Sequence, residues 1–166
     1  MGPQAKNVMD ITKSIEENLR AIATAMQKPL EQLTVAILNR PRHKERIQKI
    51  RQLGCRVWLF EHGSLAAGLA TCDDNHPIDV MTGINGAPEG VIMAAALQCL
   101  GGNTQQILKP HKEEFKQQAI ELGIQENQVL TMDNLAKGPV MFVATGVSPG
   151  PLLEGVTFHK DKIMTH

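Results

Sequence analysis

The run TVAIL at 34–38 constrains the fold most, because it shows no alternation of apolar and polar residues. A strand with one wet face alternates, whereas a strand covered on both faces is apolar throughout. Thr34, Val35 and Ile37 are β-branched and stiff at χ1, which favours extended backbone. The run therefore predicts an interior strand with helices on either side. The flanking residues supply them. Ser14 and Glu17 have the spacing of a capping box, and Ile15, Leu19, Ile22, Ala23 and Met26 recur at helical spacing behind it. This predicts a helix over 14–27, stopped by Pro29. A basic helix is expected over 42–53, ended by Gly54.

The alternation continues along the chain. CRVWLF (55–60) reads as a strand, LAAGLATC (65–72) as a short helix with Ser64 as its N-cap, and IDVMTG (78–83) as a strand. PEGVIMAAALQCL (88–100) reads as a helix closed by Gly101 and Gly102. A strand around 104–108, a helix over 111–123, a helical turn over 133–138 and a hydrophobic strand over 140–147 follow. The last segment, 155–166, reads as a β-ribbon turning near Lys160 and Asp161. Strands alternating with helices in this way predict an α/β fold: a layered, mostly parallel sheet with flanking helices. Residues 1–11 are expected to be a disordered start. Residues 12–166 are expected to be an α/β domain incomplete at both ends, since they open on a helix and stop within strand material.

Composition narrows the partners. The chain has 166 residues, 42% apolar, a net charge of +0 and only 3% aromatics with no Tyr. That suffices for a core, but offers no basic face for nucleic acid and no stacking platform for single strands. The basic stretch at 40–51 reads either as a solvated helix face or as a phosphate contact. No apolar run is long enough to span a bilayer. Cys55, Cys72 and Cys99 are odd in number and widely spaced, the pattern of reduced thiols in a cytoplasmic protein.

In a parallel α/β sheet, ligands sit beyond the carboxyl ends of the strands. Four such loops are expected to converge: Asn39-Arg40-Pro41-Arg42-His43; Glu61-His62-Gly63-Ser64; GINGAPEG at 83–90; and Thr145 to Gly150. Two guanidinium forks on a proline-stiffened turn suit an anion, as do glycine loops and a helix N-terminus. A phosphorylated ligand follows. Glu89 then has two readings. It is a first-turn acid that complements the helix dipole, or it is an oxygen ligand for Mg²⁺ or Mn²⁺ beside a phosphate. No Gly-Lys-Ser/Thr follows the glycine loop, and no GxGxxG fingerprint is present, so a Walker loop and a nucleotide-binding Rossmann-like module are disfavoured.

At these loops the chain resembles the class II fructose-1,6-bisphosphatases, including the bifunctional fructose-1,6-/sedoheptulose-1,7-bisphosphatases. The resemblance rests on GAPEGVIMAAALQCLGG (86–102), LNRPRH (38–43), IEENLRAIA (15–23) and FVATGV (142–147), and covers about residues 12–166. It implies the C-terminal half of the metal-dependent, lithium-sensitive sugar-phosphatase fold, in a cytoplasmic enzyme of gluconeogenesis. It implies hydrolysis of the 1-phosphate of fructose 1,6-bisphosphate with Mg²⁺ or Mn²⁺. Carried over residue by residue, Glu89 is a metal ligand. Gly86, Arg40, Pro41 and Arg42 contact substrate, as does the loop of His62, Gly63 and Ser64. The family has Asp-Gly-Asp at that loop and glycine at Asn85. Its other metal ligands lie in an N-terminal half that this chain does not contain, so pairing with such a half or self-association is expected. The rival reading is a catalytically incomplete domain that binds sugar phosphate or mediates assembly.

Overall fold

The computed structural model describes residues 1–150 and 152–165. The expected alternation is present through its first hundred residues: α1 (Ile15–Ala25), β1 (Thr34–Leu38), α2 (Lys44–Gln52), β2 (Arg56–Phe60), α3 (Ser64–Ala70), β3 (Val80–Met81) and α4 (Ala87–Cys99). The strand order is β2-β1-β3, all parallel, so TVAIL is the central strand and every one of its residues is buried. The fold is α/β with a parallel sheet and flanking helices.

The pleat of β1 divides the core in two. Val35 and Ile37 point to one face, where they join Leu19 and Ile22 of α1 and Ile47 and Ile50 of α2. Ala36 points to the other, against Ala67 and Ala70 of α3 and Ile78. The small residues on that face let α3 lie close to the sheet. α3 then packs on α4 through a second layer of Leu69, Met93, Ala96 and Leu97. Ser14 caps α1 with the expected reciprocal box: its hydroxyl accepts from the Glu17 N–H and Glu17 accepts from the Ser14 N–H. Gly54 ends α2 at φ +84°, where a side chain would be strained.

Several expectations fail. The segment 140–147 is not a strand. It enters no strand ladder among the described residues, the Val156 N–H donating singly to the Val147 carbonyl at 3.1 Å, and Met141, Val143 and Val147 are more than three-quarters exposed. Its start is held instead by the end of α4, whose Gln98 donates to the Gly138 carbonyl and whose Cys99 donates to that of Val140. Hydrophobicity and β-branching mark a segment able to pair, but a strand exists only where an edge receives it. The strand expected around 104–108 is shorter, β4 (Gln106–Ile107), and pairs antiparallel with an unforeseen β5 (Val129–Leu130). Between them runs α5 (Glu113–Glu121), and α6 (Met132–Leu135) follows. The ribbon is present as β6 (Thr157–Phe158) and β7 (Ile163–Met164), antiparallel; its last residue, His166, lies outside the described residues. The start of the chain packs rather than frays: Met1 and Ala5 are buried in the α1–β1 core. No helix among the described residues is long and apolar enough to cross a membrane.

Candidate active site

The loops after β1, β2 and β3 leave the same end of the parallel sheet, and polar side chains tie them together. Arg40 reaches the β2 loop: its guanidinium donates to the Glu61 carboxylate at 3.1 Å and to the Glu61 carbonyl at 2.6 Å. Asn39 donates to the other Glu61 oxygen at 2.6 Å. Arg42 reaches the β3 loop and donates to the Ile84 carbonyl at 2.9 Å. Pro41 opens the 3₁₀ turn Pro41–His43 that fixes both directions.

Asn39's amide, helped by Arg40, holds the Glu61 carboxyl below its ordinary 4.5. A group depressed in the folded state stabilises above its unfolded value and loses that contribution as pH falls through the lower one. The Arg40–Glu61 link is therefore expected to be whole above pH 4.5 and to loosen below it. A carboxyl ¹³C titration of Glu61 reads this directly; a midpoint at or above 4.5 would contradict the link.

The glycine loop delivers Glu89. Gly86 is the N-cap of α4 with extended backbone (φ −66°, ψ 148°), Pro88 sits in the first turn, and no side chain caps the free N–H groups. Those donors and the dipole suit an anion. The Glu89 carboxylate folds back over Gly86: a Cβ there would lie 2.1 Å from Glu89 Oε2. The backbone itself would accept alanine. Gly86→Ala is thus expected to leave stability within about 0.5 kcal/mol while displacing the carboxylate and weakening Mn²⁺ binding on the order of tenfold. Calorimetry beside a melting curve checks both halves.

The second glycine of GAPEG has a packing reason. Gln106 of β4 donates to the Gly90 carbonyl at 2.9 Å, and a Cβ on Gly90 would meet the same amide at 2.2 Å. β4 thereby props the first turn of α4. At the β2 loop, Gly63 is the N-cap of α3 with φ +81°, and Ser64 is the first helical residue, buried, with no capping bond. The N-cap expected at Ser64 is one residue earlier, because the left-handed turn needs glycine. His62 is exposed. The Thr145–Gly150 loop is not at a strand end, since its strand is absent.

One contributor, Gln106, was missed in the sequence, and Asn39, His43 and Glu61 stood in the expected loops without an assigned role. His43 is 1% exposed and bridges Leu38 and Ile84. Only its place beside Pro41 and Arg42 in LNRPRH could have signalled it.

Metal donors are sparse. Among the described residues no group of three His, Cys, Asp or Glu lies close enough to hold an ion. Glu89 alone fits one side of a Mg²⁺ or Mn²⁺ site, since such ions take one or two carboxylates and complete their shell with water and substrate phosphate oxygens.

Three parallel strand ends thus bring two arginines, an uncapped helix N-terminus and a forward carboxylate to one end of an α/β sheet. The chain belongs to the bacterial glpX-encoded fructose-1,6-bisphosphatase family, whose model matches residues 1–166. It is 37% identical over 171 aligned positions to fructose-1,6-bisphosphatase 1 class 2 of Escherichia coli (strain K12). It is equally similar to the class 2 fructose-1,6-bisphosphatase of Shigella flexneri. The alignments cover 95% of this chain and 51% of each relative, so the chain spans about half the length of the curated relatives it matches.

Proposed function

We propose that this chain carries the sugar-phosphate side of a metal-dependent hydrolysis of the 1-phosphate of fructose 1,6-bisphosphate. The observation that carries the reading is the joining of the Arg40–Arg42 turn to the Gly83–Glu89 loop in a chain of this family. Arg40 and Arg42 neutralise phosphate charge through planar forks, with Pro41 stiffening their turn. Gly86 and the α4 N–H groups accept close approach of the second anion. His62, Gly63 and Ser64 line the sugar side, where imidazole and hydroxyl replace the family's two acids. That exchange replaces two charged carboxylate acceptors for sugar hydroxyls by neutral groups that both donate and accept, and sedoheptulose 1,7-bisphosphate is a second substrate to compare. Glu89 offers an oxygen to Mg²⁺ or Mn²⁺, which supplies Lewis-acid polarisation of the phosphoryl oxygens when bound. The fold is that of the C-terminal half of the lithium-sensitive sugar phosphatases, and the reaction is a cytoplasmic step of gluconeogenesis.

A second reading is favoured by the lack, among the described residues, of three clustered metal-ligating side chains: a domain that binds sugar bisphosphate but needs other chain to hydrolyse it. Phosphate release from fructose 1,6-bisphosphate with Mn²⁺ or Mg²⁺, run beside calorimetry of the same mixture, separates the two. Turnover supports the first reading. Binding without turnover supports the second. Neither binding nor turnover defeats both. The bare apolar side chains Met141, Val143, Val147, Phe158 and Ile163 support self-association or pairing with a further half-domain. A mass by light scattering that stays monomeric as concentration rises would count against self-association.

A further inference from the structure

Two of the loops assigned above to substrate and cation meet on one buried ring. His43 follows the arginine turn directly and stands at the entrance of α2. Its Nδ1 lies 2.9 Å from the Leu38 carbonyl, at the end of β1. Its Nε2 lies 2.9 Å from the Ile84 nitrogen, in the glycine loop after β3. A carbonyl can only accept and an N–H can only donate, so the ring is neutral with its proton on Nδ1. The ring also fills the space beside Gly83: a Cβ there would lie 3.3 Å from His43 Cε1, and Gly83 has φ +148°. Neighbouring side chains brace the same loop. Arg42 donates to the Ile84 carbonyl, and Arg46 donates to the Thr82 hydroxyl at 3.1 Å. Ile84 is thus gripped at both its N–H and its C=O by consecutive residues of the arginine turn.

We propose that His43 is a positioning residue that sets the arginine turn and the Gly83–Glu89 loop in fixed register, so that sugar phosphate and cation are held as one arrangement. The proposal rests on the reading of those loops given under the proposed function. A histidine placed only for packing would have no need of polar partners on two loops. An apolar residue of its volume would fill the space but leave the Ile84 N–H without a partner and the Leu38 carbonyl with the Arg40 N–H as its remaining donor. The Arg42 bond to the Ile84 carbonyl also means that an anion drawing on Arg42 pulls on the loop that carries Gly86 and Glu89. His43 limits how far that loop can follow.

Two substitutions divide the ring's roles. His43→Gln places an amide oxygen near the Nε2 position and keeps an acceptor for Ile84. His43→Asn places an amide nitrogen near the Nδ1 position and keeps only the donor to Leu38. In the full 166-residue chain, hydrogen exchange of the Ile84 amide is expected to accelerate about tenfold in His43→Asn and less than about threefold in His43→Gln, the loss of one neutral hydrogen bond. Affinity for fructose 1,6-bisphosphate in the presence of Mn²⁺ is expected to follow the same order. A ¹⁵N spectrum of the wild-type ring should show the proton on Nδ1, which holds even if a variant fails to fold. A proton on Nε2, or equal exchange in both variants, overturns the proposal. So does faster exchange in His43→Asn with unchanged sugar-bisphosphate affinity. A wild-type chain that binds no sugar bisphosphate sinks the proposed function instead, and the exchange and tautomer results still decide whether His43 holds the loop.

Discussion

Glu89→Gln is expected to weaken Mn²⁺ binding on the order of 100-fold, about 3 kcal/mol, while leaving the fold intact. The two halves of that result separate the two readings of the residue. As a first-turn acid Glu89 would contribute about 0.3–1 kcal/mol to stability through the helix dipole and nothing to cation binding. As an oxygen ligand it would do the reverse, because glutamine keeps the shape and one carbonyl oxygen but loses the charge that a divalent ion requires. The side chain is exposed and its neighbour Gly86 has no side chain, so nothing in the packing confuses the comparison. Titration of Mn²⁺ by electron spin resonance, beside urea unfolding of both proteins, gives the two numbers. Equal Mn²⁺ affinity with a small loss of stability would make Glu89 a dipole partner only, and the hydrolytic reading of this loop would lose its metal.

The part of the fold legible in the sequence was the part whose burial is two-sided or capped. TVAIL, the Ser14–Glu17 box and the Gly54 stop each have one physical solution, and each is where the residues predicted. The segment 140–147 shows the limit. Its composition is that of a strand, yet pairing depends on an edge supplied from elsewhere, which no local pattern encodes. β5 was missed for the complementary reason: two residues carry too little periodicity to detect. For the site, residues with unusual chemistry for their position were legible, namely the arginines around Pro41 and the carboxylate after a glycine turn. Asn39, Glu61 and His43 were legible as members of the converging loops, but the bonds they make were not. Their roles arise only when loops far apart in sequence meet, as His43 meets Ile84 across 41 positions.

Asp79→Ala is expected to cost about 2–4 kcal/mol of folding stability, a large share of the roughly 5–15 kcal/mol available to a domain. Asp79 precedes β3 at the amino end of the sheet, away from the candidate site. It is buried, and its backbone N–H donates to the Thr34 carbonyl at 3.0 Å. One carboxylate oxygen accepts from the Thr34 N–H at 2.8 Å, and the other pairs with Lys28 at 2.5 Å. β3 has only two ladder residues against β1, so this clamp on Thr34 carries much of the register between the two strands. Alanine would leave a buried N–H unpartnered and free the lysine. Lys28 is 39% exposed, so water screens that pair and its share is the smaller one. Asp79→Asn separates the contributions: it retains an acceptor for Thr34, gives up the charge, and is expected to cost only about 1 kcal/mol. Urea unfolding of the three proteins at one pH measures both differences. A loss in the asparagine variant equal to that in alanine would place the weight on the Lys28 pair and not on the strand end. Mn²⁺ binding unchanged in either would keep this clamp's role structural.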